Sequence, residues 1–232
     1  MQHWEYPPIL AQAQPFKGLA AHGLEAVWRA GSSFRAEQGQ EVFTQGDPAE
    51  RCYVLLEGRV KLTKVDSNGD SFVVGFITPG EIFACVAVYG GESYPASATA
   101  VEASRVVGWT HEAFQKLVDA FPEIGQNAME TFGQRLQVSR ERAAEMATKT
   151  SEQRIAAALL RLARRRSDRP AEDAALRAPV RVSRQDIASM SGTALYTVSR
   201  TLQSWARAGL VDVGRQRVAV SDPGGLERIV EG

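Results

Sequence analysis

Residues Ser183–Ala208, SRQDIASMSGTALYTVSRTLQSWARA, decide the fold of this chain. Two short helices about a tight turn account for the residue types in it. Ser183, followed three residues on by Asp186, has the form of a capping box and sets the start of the first helix. Ala188 is small where the second helix must cross closely. Gly192 sits at the turn, where positive φ is cheap only without a Cβ. Val198, Leu202 and Trp205 recur at helical spacing and predict the buried stripe of the second helix. Its other face carries Tyr196, Ser199, Arg200 and Gln203, at i, i+3, i+4 and i+7. One polar face with an arginine in it is what a major-groove reader presents. An ordinary helical hairpin explains Val198 and Leu202 but not the full run.

Working outward, the next stretch completes a winged domain. Gly209 ends the second helix, and LVDVGRQRVAV reads as two short strands about a Gly214-Arg215-Gln216 turn. Arg215 and Arg217 are then placed to reach a DNA backbone. Upstream, Thr148 to Glu152 reads as a hinge with Ser151 as N-cap. Ile155, Leu159 and Leu162 line a helix that ends in Arg164-Arg165-Arg166, and residues 167–179 form a polar loop.

Charge separates this end from the rest. The 232 residues carry no net formal charge, but residues 1–121 hold 9 Lys and Arg against 14 Asp and Glu. Residues 122–148 hold 3 against 4, and residues 149–232 hold 15 against 9. A basic third attached to an acidic remainder points to a polyanion partner at that end alone. The length suits two domains, and no run of about 18 apolar residues suggests a membrane span. The N-terminus lacks a basic segment followed by an apolar block, so the chain reads as cytoplasmic, with no membrane partner.

From about Ser32 to Val107 the pattern is short alternating strands. Val42–Phe43, Cys52–Leu56, Val60–Val65, Phe72–Ile77 and Arg105–Trp109 are punctuated by turn signals every eight to twelve residues or so. Asn68-Gly69 predicts a hairpin with a type I′ turn. With no helices between the strands, a jelly-roll barrel fits better than a parallel sheet. Residues 1–30 read as an irregular arm and a short helix over Gly18–Ala30. At Thr110 the period turns helical. HEAFQKLVDAF forms a short helix, and a long one runs from Pro122 to Ala147. Along it Gly125, Ala128, Phe132, Leu136, Ser139, Ala143 and Met146 recur as a coiled-coil seam does, which predicts a two-fold homodimer. A helix packed on its own barrel explains the same pattern, and the two hold together on opposite faces. The fold class is α+β, with a sensory jelly roll over 1–121, a dimerisation helix over 122–148 and a winged helix-turn-helix over 149–232.

Nothing here calls for an enzyme. No phosphate-loop, nucleophile-elbow or dinucleotide signature occurs, and His3, His22 and His111 show no metal-ligand spacing. Cys52 and Cys85 sit in apolar strand-like surroundings and read as small buried hydrophobes. A cupin-type jelly-roll enzyme needs clustered histidines that this roll lacks between His22 and His111. A cyclic-nucleotide-gated interaction module has no reason to carry a winged helix-turn-helix.

The segments GDPAERCYVLLEGRVKL, NGDSFVVGFITPGEIF, FPEIGQNAMETFGQRLQ, RVSRQDIASMSGTALYTVSRTL and GLVDV, in that order, resemble the cyclic-AMP receptor and fumarate–nitrate regulator (Crp/Fnr) family of bacterial transcription regulators. The resemblance runs from about Phe34 onward. It implies a homodimer on a palindromic site of double-stranded DNA, bending it and contacting RNA polymerase, with an effector in the roll that resets the recognition helices. Its DNA contacts fall on Leu195, Tyr196, Thr197, Ser199, Arg200 and Gln203, with Ser183, Arg184, Arg215 and Arg217 beside them. Tyr196 stands where relatives carry a glutamate, which predicts an altered preference at one base pair per half-site. Leu195, where cyclic-AMP receptors carry an arginine, is placed to pack on a thymine methyl or in the core.

The implied effector pocket is Ala84, Cys85, Val86, Tyr94, Pro95, Ala96 and Ser97 with Ser139 and Arg140 of the long helix. Here the chain departs from the cyclic-AMP binders. Cys85 replaces the ribose-binding glutamate, and Tyr94-Pro95 replace the arginine–serine pair that holds the phosphate. A cyclic phosphate there meets no cation, so cyclic AMP is disfavoured. Two cysteines cannot hold a four-thiolate cluster, which disfavours iron–sulfur. Three inputs stay open: another small effector in the apolar pocket, haem with His3, His22, Cys52 or Cys85 as candidate ligands, or no effector at all. GTALYTVSRTL loosely resembles nitrogen-oxide-responsive members, which leans toward a redox or gas cue.

Overall fold

Strand β3 (Arg51–Glu57) shows why its sequence reads as an unbroken apolar run. Its period-two alternation divides the side chains between two separate cores. Tyr53 and Leu55 face the interior of the roll with Phe43, Val60, Phe83, Tyr94 and Val106. Cys52, Val54 and Leu56 face a second core, shared with the helices packed outside the sheet. The computed structural model describes residues 6–85, 92–164 and 178–232 and divides into two compact units, Met1–Gln137 and Val138–Gly232.

In the first unit the described strands are β1 (Ser32–Ala36), β2 (Glu41–Phe43), β3, β4 (Val60–Val65), β5 (Ser71–Ile77), β6 (Ile82–Phe83), β7 (Ser97–Ala100) and β8 (Ser104–Thr110). They form two four-stranded antiparallel sheets, ordered β1-β8-β3-β6 and β2-β7-β4-β5, the two layers of the predicted roll. Sequence reading missed β1, β6 and β7. Most of β1 is exposed, β6 is two residues long, and Ser97–Ala100 is too small in side chain to signal a strand.

The β4–β5 hairpin also differs from expectation. Gly69 has φ +87°, but Asn68 does not take positive φ, so no type I′ turn forms. Instead Gly69 N–H donates to Asp66 O at 3.1 Å and Asp66 N–H to Asp70 O at 3.0 Å, closing a three-residue loop with the glycine left-handed. The Asp66 carboxylate selects this form by accepting from the backbone of Asn68 at 2.8 Å and Asp70 at 3.0 Å.

The N-terminal arm is less irregular than the sequence suggests. Helix α1 (Pro8–Gln12) and a 3₁₀ turn at Gln14–Phe16 precede α2 (Ala21–Ala30), which starts three residues later than expected. Leu10 and Phe16 are fully buried in one core with Trp109, on which the Phe16 ring packs and whose Nε1–H donates to Val27 O at 2.8 Å. Helix α3 (His111–Ala120), capped by Thr110, and the start of α4 (Pro122–Thr148) complete this core through Phe114, Leu117 and Ile124. Phe132 of α4 packs on it too, so the N-terminal half of the expected seam belongs partly to the roll. Met129, Leu136, Ser139, Ala143 and Met146 are exposed along α4.

The second unit holds the C-terminal part of α4, then α5 (Ser151–Arg164), β9 (Val180–Arg181), α6 (Arg184–Ser191), α7 (Leu195–Arg207), β10 (Val211–Gly214), β11 (Arg217–Val220) and α8 (Pro223–Glu231). Helix α5 buries Ile155, Leu159 and Leu162 as its spacing predicts. Its capping differs. Thr150, not Ser151, closes a reciprocal box, with Gln153 N–H donating to Thr150 Oγ1 at 3.3 Å and Thr150 N–H to Gln153 Oε1 at 2.9 Å. Arg165, Arg166 and most of the 167–179 loop lie outside the described residues.

Candidate nucleic-acid interface and effector pocket

The capping box at Ser183 forms as read. Ser183 N–H donates to Asp186 Oδ2 at 3.0 Å and Asp186 N–H to Ser183 Oγ at 3.0 Å, fixing the first residue of α6. Gly192 closes α6 in the left-handed region, at φ 58° and ψ 43°. A Cβ there would also strike the Met146 side chain. From this turn α7 departs with Val198, Leu202 and Trp205 buried, the indole N–H of Trp205 donating to Glu152 Oε1 at 3.0 Å.

What α7 leaves outside is the face expected of it. Tyr196 is 76% exposed, Leu195 is 46% exposed, and Arg200 and Gln203 are exposed with them. Leu195 is therefore not a core residue. Thr197 and Ser199 are half-buried at the edge of the face, and Arg184 is exposed on the first turn of α6. Ser183 is half-buried, its hydroxyl already accepting from Asp186.

The wing is a three-stranded sheet, ordered β10-β11-β9. Its tip is Arg215 and Gln216, with Gln216 at φ 54°, while Gly214 is the last residue of β10 rather than part of the turn. Arg215 and Arg217 are both exposed. Arg217 is paired in register with Arg181 of β9, another exposed arginine. Sequence reading missed Arg181. The Val180-Arg181-Val182 alternation ahead of the capping box was the available signal. With the 15 Lys and Arg against 9 Asp and Glu of residues 149–232, these arginines make the wing a basic surface.

Within the roll, the residues of the expected effector pocket are placed as follows. Tyr94 is 4% exposed, its ring stacked on Phe43 with centroids 4.0 Å apart. Phe43 stacks in turn on Tyr53 at 5.7 Å and Phe83 at 6.1 Å. The Tyr94 hydroxyl donates to Arg51 O at 2.9 Å and accepts from Arg51 N–H at 3.1 Å. Burial pushes the Tyr53 phenol well up, and its hydrogen bond with Tyr94 pushes it further. Ala96 is buried, Pro95 is exposed, and Ser97 Oγ accepts from Gln45 N–H at 2.9 Å. Ala84 holds φ 59°, a strained choice for a residue with a Cβ. Val86 lies outside the described residues, and Ser139 and Arg140 are exposed on α4 in the second unit.

Cys85 is buried. Desolvation raises its thiol pKa against the opposing pull of Arg135, whose guanidinium also donates to Ile82 O. Cys52 is fully buried, and desolvation, then the nearby Cys85, raise its thiol well above the usual range. His22 is exposed on α2 with its ring against Phe121, and His3 lies outside the described residues. Among the described residues no group of three or more His, Cys, Asp or Glu side chains could hold a metal ion, and no helix is long and apolar enough to cross a membrane.

Comparison with known proteins matches both units. A cyclic nucleotide-binding domain model covers residues 34–121 and a Crp-like helix-turn-helix domain model covers residues 153–229. The nitrogen fixation regulation protein FixK of Azorhizobium caulinodans is 30% identical over 218 residues, spanning 94% of this chain and 83% of that protein. A CRP-like cAMP-activated global transcriptional regulator of Mycobacterium tuberculosis is 26% identical over 220 residues, spanning 95% and 97%. The structure of FixK2 from Bradyrhizobium japonicum superposes with a TM-score of 0.73 at 22% identity, over 86% of this chain and 96% of that one, a likeness of fold.

Proposed function

This chain belongs to the Crp/Fnr family of transcription regulators, and on that premise we propose that it reads a palindromic DNA site as a homodimer, through a sensory roll not suited to cyclic AMP. The observation that carries the DNA reading is the outer face of α7. Leu195, Tyr196, Arg200 and Gln203 stand exposed on a helix whose opposite side is locked into the domain by Val198, Leu202 and Trp205. A helix held this rigidly presents its side chains to base edges in one register. Arg200 donates bidentately to guanine O6 and N7, and Ser199 reaches a base edge or a phosphate. Arg184, Arg215 and Arg217 meet phosphates, with Arg181 beside them.

The two-fold reading is supported by α4. Met129, Leu136 and Ala143 are exposed at seven-residue spacing, and the same face of a second copy would cover them. Paired recognition helices then meet half-sites about 34 Å apart, and the family's contact with RNA polymerase follows from binding there.

Against cyclic AMP stands the Tyr94 ring. It fills the roll where the family's phosphate-binding arginine is expected, in a stack with Phe43, Tyr53 and Phe83. Neither a cation nor a carboxylate from the aligned positions replaces the lost anchors. The roll is then either occupied by a different, less polar effector or held in one state by its own side chains.

The test is selection from randomised duplexes followed by sizing of the complex. Recovery of an inverted repeat bound by two chains supports the reading, and recovery of no sequence preference overturns it.

A further inference from the structure

A polar junction at the start of α5, in the second unit, touches none of the residues given a role in reading DNA. Arg154, on the first turn of α5, donates from Nε to Ser191 O at 2.8 Å and from Nη1 to Lys149 O at 2.7 Å. A longer contact runs from Nη2 to Gly192 O at 3.4 Å. One planar guanidinium thus holds carbonyls from two places far apart in sequence. One is the hinge just after α4, and the other is the turn between α6 and α7. Both sets of acceptors are helix-end carbonyls without intrahelical partners, which a cation satisfies well.

Further contacts gather around this junction. The Met146 side chain packs against Gly192 on the same turn. Glu145 binds Arg161 of α5 at 2.7 Å, with Lys149 beside it at 3.7 Å. Thr150 and Gln153 close the box that starts α5, and Glu152 accepts the indole N–H of Trp205. The end of α4, the start of α5 and the α6 end of the helix-turn-helix turn therefore meet around Arg154, with Trp205 of α7 tied to the same first turn of α5.

We propose that Arg154 is a positioning residue for sequence-specific DNA binding, the link that makes the hinge after α4 and the turn before the recognition helix move as one block. This inference rests on the DNA-reading function above. A base-reading helix must be held to a fraction of an ångström, whereas phosphate contacts tolerate displacement. Loosening the junction should thus cost discrimination between sequences more than it costs attraction to DNA.

The experiment compares affinity for the selected site with affinity for an unrelated duplex of equal length, over a salt series, in full-length wild type, Arg154→Met and Arg154→Lys. The expected result for Arg154→Met is a specific affinity lowered about tenfold, with unrelated-duplex affinity and salt slope nearly unchanged. Arg154→Lys keeps the charge but not the fork, and should recover less than half of the lost discrimination. A variant that merely unfolds loses both affinities in proportion, and an equal loss, or none, overturns the proposal. Hydrogen exchange in wild type gives an answer that no folding defect can obscure. On binding the selected duplex, amides of 148–152 and 189–194 should slow together, and slowing confined to one segment overturns the link. If wild type prefers no duplex, the DNA-reading function itself fails. If it does and the variants keep its preference, only the role of Arg154 fails.

Discussion

Tyr94 and Arg51 are joined twice, the phenolic hydroxyl donating to the Arg51 carbonyl at 2.9 Å and accepting from the Arg51 N–H at 3.1 Å. The side chain that stands where the family resemblance leads one to expect a phosphate-binding arginine is thereby tied to the backbone of β3, the strand shared by both cores of the roll. Tyr94→Phe keeps the stack on Phe43 and removes both hydrogen bonds to Arg51 as well as the one with Tyr53. Its expected cost is about 1–3 kcal/mol, because the Arg51 groups lose a buried partner. Urea denaturation checks this. Titration calorimetry of wild type with cyclic AMP should show no saturable heat, and a saturable one would return the pocket to nucleotides.

The alkaline limb of stability follows from the same region. Burial raises the Cys52 and Cys85 thiols above the ordinary value near 9, so the folded chain keeps protons that the unfolded chain releases. The thiols' contribution is complete below the unfolded value and declines as pH rises through it. Each adds a slope of up to about 1.4 kcal/mol per pH unit. Urea midpoints measured from pH 7 to 10.5 or so should fall above about 8.5, the ordinary thiol range. Cys52→Ala should flatten that fall more than Cys85→Ala, whose thiol has Arg135 opposing the rise.

At the helix-turn-helix turn, Gly192→Ala meets two penalties at once. The left-handed backbone costs about 1–2 kcal/mol for a residue with a Cβ. A Cβ would also displace the end of the Met146 side chain, which is half-exposed and flexible enough to swing aside, so this second penalty is the smaller one. Met146→Ala in the same chain relieves the second penalty only. A double-mutant cycle by thermal denaturation should therefore show favourable coupling between the two substitutions, and strict additivity would place the whole cost in the backbone.

What could be read in advance was whatever depends on neighbours along the chain. Ser183, Asp186 and Gly192 carry local chemistry, so the helix-turn-helix stood out, and so did β3, β4 and β5 with their strong apolar runs. Strand β1 did not, because most of its side chains are exposed and it is held by pairing with β8. The capping of α5 by Thr150 turned on one residue of register, with two adjacent hydroxyls to choose between. Arg154 gave no signal at all, since apart from a long contact to Ser151 Oγ at 3.5 Å its partners are main-chain carbonyls up to 38 residues away. Tyr94 was visible as a missing cation but not as a filled core, which required the ring stack to be seen.

Arg200 tests the reading face directly. Site selection with Arg200→Ala should lose preference at one G·C pair in each half-site, a discrimination of about 1–3 kcal/mol. The remaining positions of the motif should persist, because the phosphate contacts that set register are intact. An unchanged motif would remove Arg200 from the base-reading set.

Tyr196 should shift the operator rather than weaken binding. A glutamate at this place on α7 accepts a hydrogen bond, and cytosine N4 is a donor in the major groove. A phenol brings a donor and an aromatic ring instead, which favours an acceptor edge or a thymine methyl. Tyr196 is 76% exposed with its ring clear of the core, so substitution there leaves the domain intact. Selection with Tyr196→Glu should introduce a C·G preference at one symmetric position, at the expense of the base pair wild type selects. Tyr196→Phe separates the two attractions. If the hydroxyl reads an acceptor, the preference fades. If the ring packs on a methyl, it stays, and replacing that thymine by uracil abolishes it. A wild-type motif already showing C·G at this position would refute the role given to Tyr196.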